Sequence, residues 1–538
     1  MMKMKKTLLF FALCTLCMHL TAQDLDTVPY YDDNQMPDAG IYLPAPPDTN
    51  SMLFIDDFQQ WIWGKLMRAT ARGQRASWES ENSVARMCQI YSDALGFTIS
   101  KETTPAIYRL VSRGQKTAAQ AVDRAKAKYM RIRPFARMNE HVAGAFDDEE
   151  HLRGNGSYPS GHTSLGWTTA LILAQMAPEQ QDTILRRGWE YGENRVIVGA
   201  HWQSDVDAAR LAASSCVARI QASPEYRSDL AAARTEYLLW HGTAPANVPY
   251  PNSRRILPPP IDTASYRYQG DVAAHWLARS LRNTPRGVQA LVDNSKHVED
   301  FLSQYSDCLD MPLDTTVAPN ITAYLTHVYT TLRTESRRLK KSGFRRRPYA
   351  QLGDGSMIPE EEEEESTDSS YPSTHSTLGW GLALAMVELT PDSMNAILER
   401  GFEYGYSRVI AGYHWASDVQ AARLLASYTF VRLQREPEFQ TLVAAARNEY
   451  AALRGYAGIT PVDPATTATL VRNGENVVLT FANGQETGVL NIYSIDGRVL
   501  KSMNVSGDTS TSLAGLPHGV YIATFTGHTS FVSLKTTF

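Results

Sequence analysis

Two stretches of this sequence carry the same reactive side chains in the same order. The first has Lys126 and Arg133-Pro134, then Pro159-Ser160-Gly161-His162, then Arg195, His201 and Asp205. The second has Lys340 and Arg347-Pro348, then Pro372-Ser373-Thr374-His375, then Arg408, His414 and Asp418. In each, lysine and arginine stand seven positions apart, two helical turns, so the spacing predicts both cations on nearly one helix face, with the proline ending that helix. A Ser-Gly at a helix start presents unpaired backbone N–H groups and the positive end of the dipole, which suits a phosphate. A plain N-cap with a histidine on the first turn explains that tetrapeptide equally well. His201 and Asp205, like His414 and Asp418, are four positions apart, so on a helix the carboxylate can take the Nδ1 proton and leave Nε2 for chemistry. Gly199 and Gly412, just before each histidine, give the chain room to turn. Any one cluster has an ordinary structural explanation. All three, in order and twice, point to an anion-handling site made in two copies.

The elements that must position these residues form a duplication with a tail. A constant offset aligns Leu43-Pro44 with Leu257-Pro258, Arg72-Gly73 with Arg286-Gly287, and Tyr91-Ser92-Asp93 with Tyr305-Ser306-Asp307. After a one-residue deletion it continues through GSYPSGHT and SSYPSTHS, then RVIVGAHWQSDVDAAR and RVIAGYHWASDVQAAR, and ends with AAARTEY against AAARNEY. So long a period makes each copy a whole domain and not a stacking unit. Helix-spaced apolar positions such as Leu211, Cys216, Val217 and Ile220, with almost no alternation, predict all-α copies over 23–240 and 257–455. A Pro-rich segment, 241–256, reads as a semi-rigid linker. After a second linker, 456–465, residues 466–538 alternate in short runs broken by NG and DG turns, which predicts a small β-sandwich.

At 538 residues the chain is too long for one core. Its 43% hydrophobic and 20% charged residues and net charge of −5 are those of an ordinary globular protein, and argue against a nucleic acid polymer as partner. Residues 1–22 pair a Lys-bearing start with an apolar run and a small residue, Ala22, which predicts a cleavable export signal. Cys14 and Cys17 lie inside it. Cys88, Cys216 and Cys308 remain, too few for a disulfide framework. The later apolar run, Leu165 to Ala177, falls short of a bilayer span, so it reads as a buried helix and the mature chain as lacking a transmembrane segment.

Together the three clusters resemble the signature of the PAP2 acid phosphatase and vanadium haloperoxidase superfamily. The surrounding YMRIRPFA, NGSYPSGHTSLGWTTALILA, RRGWEYG and GAHWQSDVDAARL resemble the bacterial class A non-specific acid phosphatases in particular, over essentially both copies. The resemblance implies tandem helical bundles, each with its site at one end, no metal or other cofactor, and small phosphorylated substrates. It also implies roles. His201 would attack phosphorus, oriented by Asp205, and His162 would protonate the leaving oxygen. Lys126, Arg133, Arg195, Ser160 and the Gly161 amide would hold the phosphoryl oxygens. In the second copy these roles fall to His414, Asp418, His375, Lys340, Arg347, Arg408, Ser373 and the Thr374 amide. The physics agrees, because phosphoryl transfer needs cations around three equatorial oxygens and a group at each apex. A phosphohistidine intermediate and a bell-shaped pH profile follow, and the resemblance implies an acidic optimum. A vanadium-dependent haloperoxidase, or a phosphate-binding surface protein with one or both sites inactive, are the alternatives.

The copies also differ. Asn194 replaces the serine the family usually has before the arginine, which Ser407 keeps. Thr374 replaces Gly161, and a β-branched residue there would penalise φ > 0 and add bulk beside the anion. The second copy carries PEEEEEES from Pro359, where the first has DDEE from Asp147, and a glutamate run reads first as a solvated loop. Folded over the site, it would repel anions. The first copy is therefore expected to be the more dependable catalyst. The tail, with SIDGRVL, LPHGVYIA and FVSLKTTF, resembles the sorting domain of type IX secretion substrates, which implies contact with secretion machinery and delivery to the cell surface or medium. An unrelated sandwich would leave the protein periplasmic. Duplication also suggests that the copies pack as an internal pseudo-dimer.

Overall fold

The computed structural model describes residues 25–144, 149–242, 247–454, 468–473, 475–481, 487–494, 498–527 and 531–537. The expected export signal, Asp147-Asp148 of the DDEE loop and the 456–465 linker lie outside the described residues. The chain divides into two compact units, one through Ala446 and one from Arg447.

The first unit is helical and contains both copies, apart from the end of the second copy's last helix. The longer helices of the first copy are Pro105–Tyr129, Gly161–Met176, Gln181–Ile197, Gln203–Ile220 and Pro224–His241. Those of the second are Pro319–Lys340, Thr374–Leu389, Met394–Ile410, Ala416–Leu433 and Pro437–Leu453. Gly161–Met176 is the central rod of its bundle. Every residue from Thr163 to Met176 is buried, as an apolar run without a polar face must be. It packs against Pro105–Tyr129, Gln181–Ile197 and Gln203–Ile220. Gly166 lets the neighbouring helix in: a Cβ there would stand 2.2 Å from the Tyr191 ring. Among the described residues no helix is long and apolar enough to cross a membrane. Cys88, Cys216 and Cys308 are free thiols.

The copies share a core. The apolar cluster of the first copy runs on into Tyr371, Leu424, Leu425, Tyr428 and Val431 of the second. The Asp38 amide donates to Asn395 Oδ1 at 2.8 Å, and Arg267 Nε reaches Asp56 Oδ1 at 3.4 Å. The Pro-rich segment is tied on both sides: Gln181 Nε2 donates to the Pro249 carbonyl at 2.7 Å, and the Tyr250 hydroxyl donates to Glu436 Oε1 at 2.7 Å. A cavity of about 680 Å³ lies along this seam, lined by residues such as Pro44, Trp189, Arg267 and Phe402.

The second unit is the small β-sandwich. Its strands are β1 (Ala468–Asn473), β2 (Asn476–Phe481), β3 (Thr487–Ser494), β4 (Val499–Ser506), β5 (Thr509–Ser512), β6 (Val520–Gly527) and β7 (Phe531–Thr537). They form two antiparallel sheets, ordered β1-β2-β5 and β4-β3-β6-β7. Leu479, Phe481, Leu490, Ile492, Tyr521 and Phe525 fill the space between them, which is what two-residue alternation predicts.

Candidate active site

Lys126 lies in the last turn of Pro105–Tyr129, but Arg133 does not share that helix. Met130, at φ 41, turns the chain out, and Arg133 sits at the N-cap of a separate short helix, Pro134–Arg137. The proline therefore starts a helix, since its fixed φ and missing N–H suit the first position. The second copy does the same, with Lys340 closing Pro319–Lys340 and Arg347 capping Pro348–Leu352. The chain still brings lysine and arginine together, by a turn and not by helical spacing.

His201 also stands outside a helix. Gly199, at φ 80, reverses the chain after Arg195, and the helix carrying Asp205 begins only at Gln203. The Nδ1 of His201 has the Ser157 carbonyl at 2.9 Å and Asp205 Oδ2 at 3.5 Å. A carbonyl is thus the nearer acceptor, correcting the expected His–Asp hydrogen bond. It fixes the same tautomer, with the proton on Nδ1 and a lone pair on Nε2. That lone pair faces Arg133 Nη1 at 3.1 Å. In the second copy the Ser370 carbonyl is 2.6 Å from His414 Nδ1, Asp418 Oδ2 is 3.9 Å away, and Arg347 Nη1 stands 3.2 Å from Nε2.

Asp205 has other bonds. Its Oδ2 accepts from the Trp202 amide at 2.8 Å, closing the first turn, and its Oδ1 accepts from Arg131 at 2.6 Å. Arg131 also holds Asp57 at 2.7 Å, and Asp57 takes the amide and hydroxyl of Ser204, each at 2.7 Å. Arg345, Asp271 and Ser417 repeat this chain around Asp418. The three motifs missed these supports. The repeat alignment could have found them, because Asp57 and Asp271, like Arg131 and Arg345, align at the same offset as Lys126 and Lys340.

Ser160 is the N-cap of Gly161–Met176, its Oγ accepting from the Thr163 amide at 3.3 Å and the Thr163 hydroxyl at 2.9 Å. Ser373 caps Thr374–Leu389 in the same way. Neither Gly161 nor Thr374 has a positive φ, so the backbone strain expected of Thr374 is absent. A Cβ on Gly161 would lie 3.6 Å from Lys126 Cε, an ordinary contact, and the Thr374 hydroxyl bonds Ser336 at 2.9 Å. His162 donates from Nε2 to the Ser80 carbonyl at 2.9 Å, while Arg195 reaches the Ser80 hydroxyl at 3.3 Å and the Ala76 carbonyl at 3.0 Å. Asn194 and Ser407 do equivalent work, donating to Glu79 at 2.7 Å and to Asp293 at 2.5 Å.

These groups form one electrostatic cluster. Burial pushes both His162 and His201 well below the usual imidazole value, and Arg133 and Arg195 push each further. Burial and the Arg133 charge bring Lys126 down to about 7, and burial brings Arg133 down to about 10. Among the described residues, the recorded partners of Lys126, Arg133 and Arg195 are carbonyls, one hydroxyl and His201, and none is a carboxylate. The second copy differs here. Glu362–Ser366 is a short helix rather than a solvated loop, and Glu365 turns inward to Arg347 and Lys296. Asp368 stands 3.5 Å from Lys340.

The PAP2 superfamily model matches this chain twice, over residues 116–228 and 320–435, so that each match takes in one set of clusters. The non-specific acid phosphatase of Providencia stuartii is 41% identical over 218 residues, 40% of this chain and 88% of that protein. The chain belongs to the PAP2 superfamily. The non-specific acid phosphatase of Salmonella typhi is 36% identical over 230 residues, 43% of this chain and 91% of its own length. An acid phosphatase of Zymomonas mobilis is 34% identical over 196 residues, 36% of this chain and 74% of its own. These PAP2 relatives align with roughly one copy's length, and this chain carries two.

Proposed function

We propose that this PAP2 protein is an exported acid phosphatase that hydrolyses phosphate monoesters through a phosphohistidine on His201. The observation that carries the reading is the cage in the first copy: Lys126, Arg133 and Arg195, whose hydrogen-bond partners among the described residues include no carboxylate, gathered with His162 and His201, whose imidazoles burial and these cations hold below the usual value. An oxyanion supplies the opposite charge and the acceptors that these cations call for. Lys126, Arg133, Arg195, the Ser160 hydroxyl and the Gly161 amide take the phosphoryl oxygens. The Nε2 lone pair of His201 attacks phosphorus as the phosphorus–oxygen bond to the alcohol breaks. His162, held at Nε2 by the Ser80 carbonyl, gives up the proton on Nδ1 to the leaving oxygen. Water then attacks the phosphohistidine, His162 takes its proton back, and phosphate leaves.

Burial and the surrounding cations favour the neutral form of both histidines, and His162 must be charged to act. Its lowered value puts that charge on the acid side of neutrality, and a bound phosphoryl group, by offsetting the cations, favours it further. An acidic optimum follows. Rapid quench with a radiolabelled phosphate ester tests the covalent step: a base-stable, acid-labile phosphoenzyme that falls sharply in His201→Ala and vanishes when His414→Ala is added is expected, and turnover without it rejects the route. The first copy is the stronger catalyst and the second the weaker. We read the β unit as a sorting segment for type IX secretion. Deleting residues 466–538 is then expected to strand active enzyme inside the cell envelope, and unchanged delivery to the surface rejects that role.

A further inference from the structure

The copies meet the same arginine with the same backbone and opposite side chains. Arg133 Nε donates to the Leu152 carbonyl at 2.9 Å, and Arg347 Nε donates to the Glu365 carbonyl at 2.8 Å. Leu152 and Glu365 align at the offset that joins GSYPSGHT to SSYPSTHS. Glu365 folds its carboxylate back onto this arginine, with Oε2 2.5 Å from Nη2 and Oε1 2.8 Å from Lys296 Nζ. The side chains of Arg347 and Glu365 are 3% and 17% exposed, so little water weakens the pair. Asn155 in turn aligns with Asp368, which lies 3.8 Å from Arg347 as well as beside Lys340. Burial alone would raise the Glu365 carboxyl, but Arg347 and Lys296 hold it down at about 2, so it stays charged wherever an acid phosphatase works.

We propose that Glu365 is a specificity-determining residue of the second site, a resident carboxylate that fills the donors of Arg347 and sets this copy against doubly charged phosphate. The inference rests on reading both cages as phosphoryl sites. An incoming monoester must displace Glu365 or share the arginine with it, so phosphate binds the second copy more weakly than the first. Once a phosphoryl group is seated, the chemistry of His414 and His375 is unaltered, and the effect falls on KM more than on kcat.

Steady-state kinetics with p-nitrophenyl phosphate tests this, with one site silenced at a time. In a His201→Ala background, Glu365→Leu is expected to lower KM by about tenfold to a hundredfold, the value of one charge-assisted hydrogen bond, and Glu365→Gln by less. In a His414→Ala background, Leu152→Glu is expected to raise KM similarly in a site that keeps Gly161, which separates the carboxylate from Thr374. Unchanged KM in Glu365→Leu and Glu365→Gln, or an effect on kcat alone, overturns the proposal. If the unmutated chain turns over no monoester, the phosphatase reading fails and calorimetric titration with inorganic phosphate still decides on Glu365. Tight sites are expected to rise from one to two in Glu365→Leu and to fall to none in Leu152→Glu. A count that does not move in either variant rejects the inference.

Discussion

His201 is gripped from both sides, by a carbonyl on Nδ1 and a guanidinium on Nε2, and the grip depends on residues that touch no substrate. Arg131 is buried between Asp57 and Asp205, so Asp57→Ala leaves a buried guanidinium half-paired. It is expected to cost about 3 kcal/mol or more in denaturant unfolding. A loss under about 0.5 kcal/mol would show the chain of charges to be idle. Lys126 gives a pH prediction of definite sign. Its folded value of about 7 lies below the ordinary 10.5, so the empty site loses that positive charge as pH rises through neutrality. Tungstate, dianionic from about pH 6 to pH 9, is then expected to bind the first site more weakly by up to about tenfold per pH unit above about 7. Flat affinity over that range would contradict the shift.

At the scale of elements, the central helix was legible and the joints beside it were not. The apolar run after Ser160 is too uniform for a surface helix and too short for a membrane, which leaves only the middle of a bundle. Gly166 in that helix is expected to tolerate no Cβ: Gly166→Ala meets the Tyr191 ring and costs about 1–3 kcal/mol by thermal unfolding. A neutral substitution would mean that the helices sit further apart. The joints failed for a common reason. Spacings of seven and four are helical only if the whole span is helix: Met130 leaves it between Lys126 and Arg133, and after the turn at Gly199 the helix of Asp205 starts only at Gln203, past His201. Glycine at 199 was a visible hint; methionine at 130 gave none. The partners of Asp205 lay beyond motif reading because Arg131 stands 74 positions away in sequence. Glu365 was misread because a glutamate run has no periodicity to show which member turns inward.

For the whole molecule, the duplication was visible in the sequence, whereas the shared core was not, since nothing in either copy alone says which apolar face meets the other. Leu425 of the second copy is fully buried in a cluster that includes first-copy side chains. Leu425→Ala is expected to cost about 2–5 kcal/mol and, in a His414→Ala background, to lower the thermal midpoint of first-site activity. A first site unmoved by that change would mean that the copies are energetically independent. Hydrolysis of p-nitrophenyl phosphate at acidic pH by the full chain, His201→Ala, His414→Ala and the double variant decides whether these two histidines carry the activity. Most of the turnover is expected to be lost with His201, a small part with His414, and none is left in the double variant. Turnover that survives loss of both histidines would contradict that role.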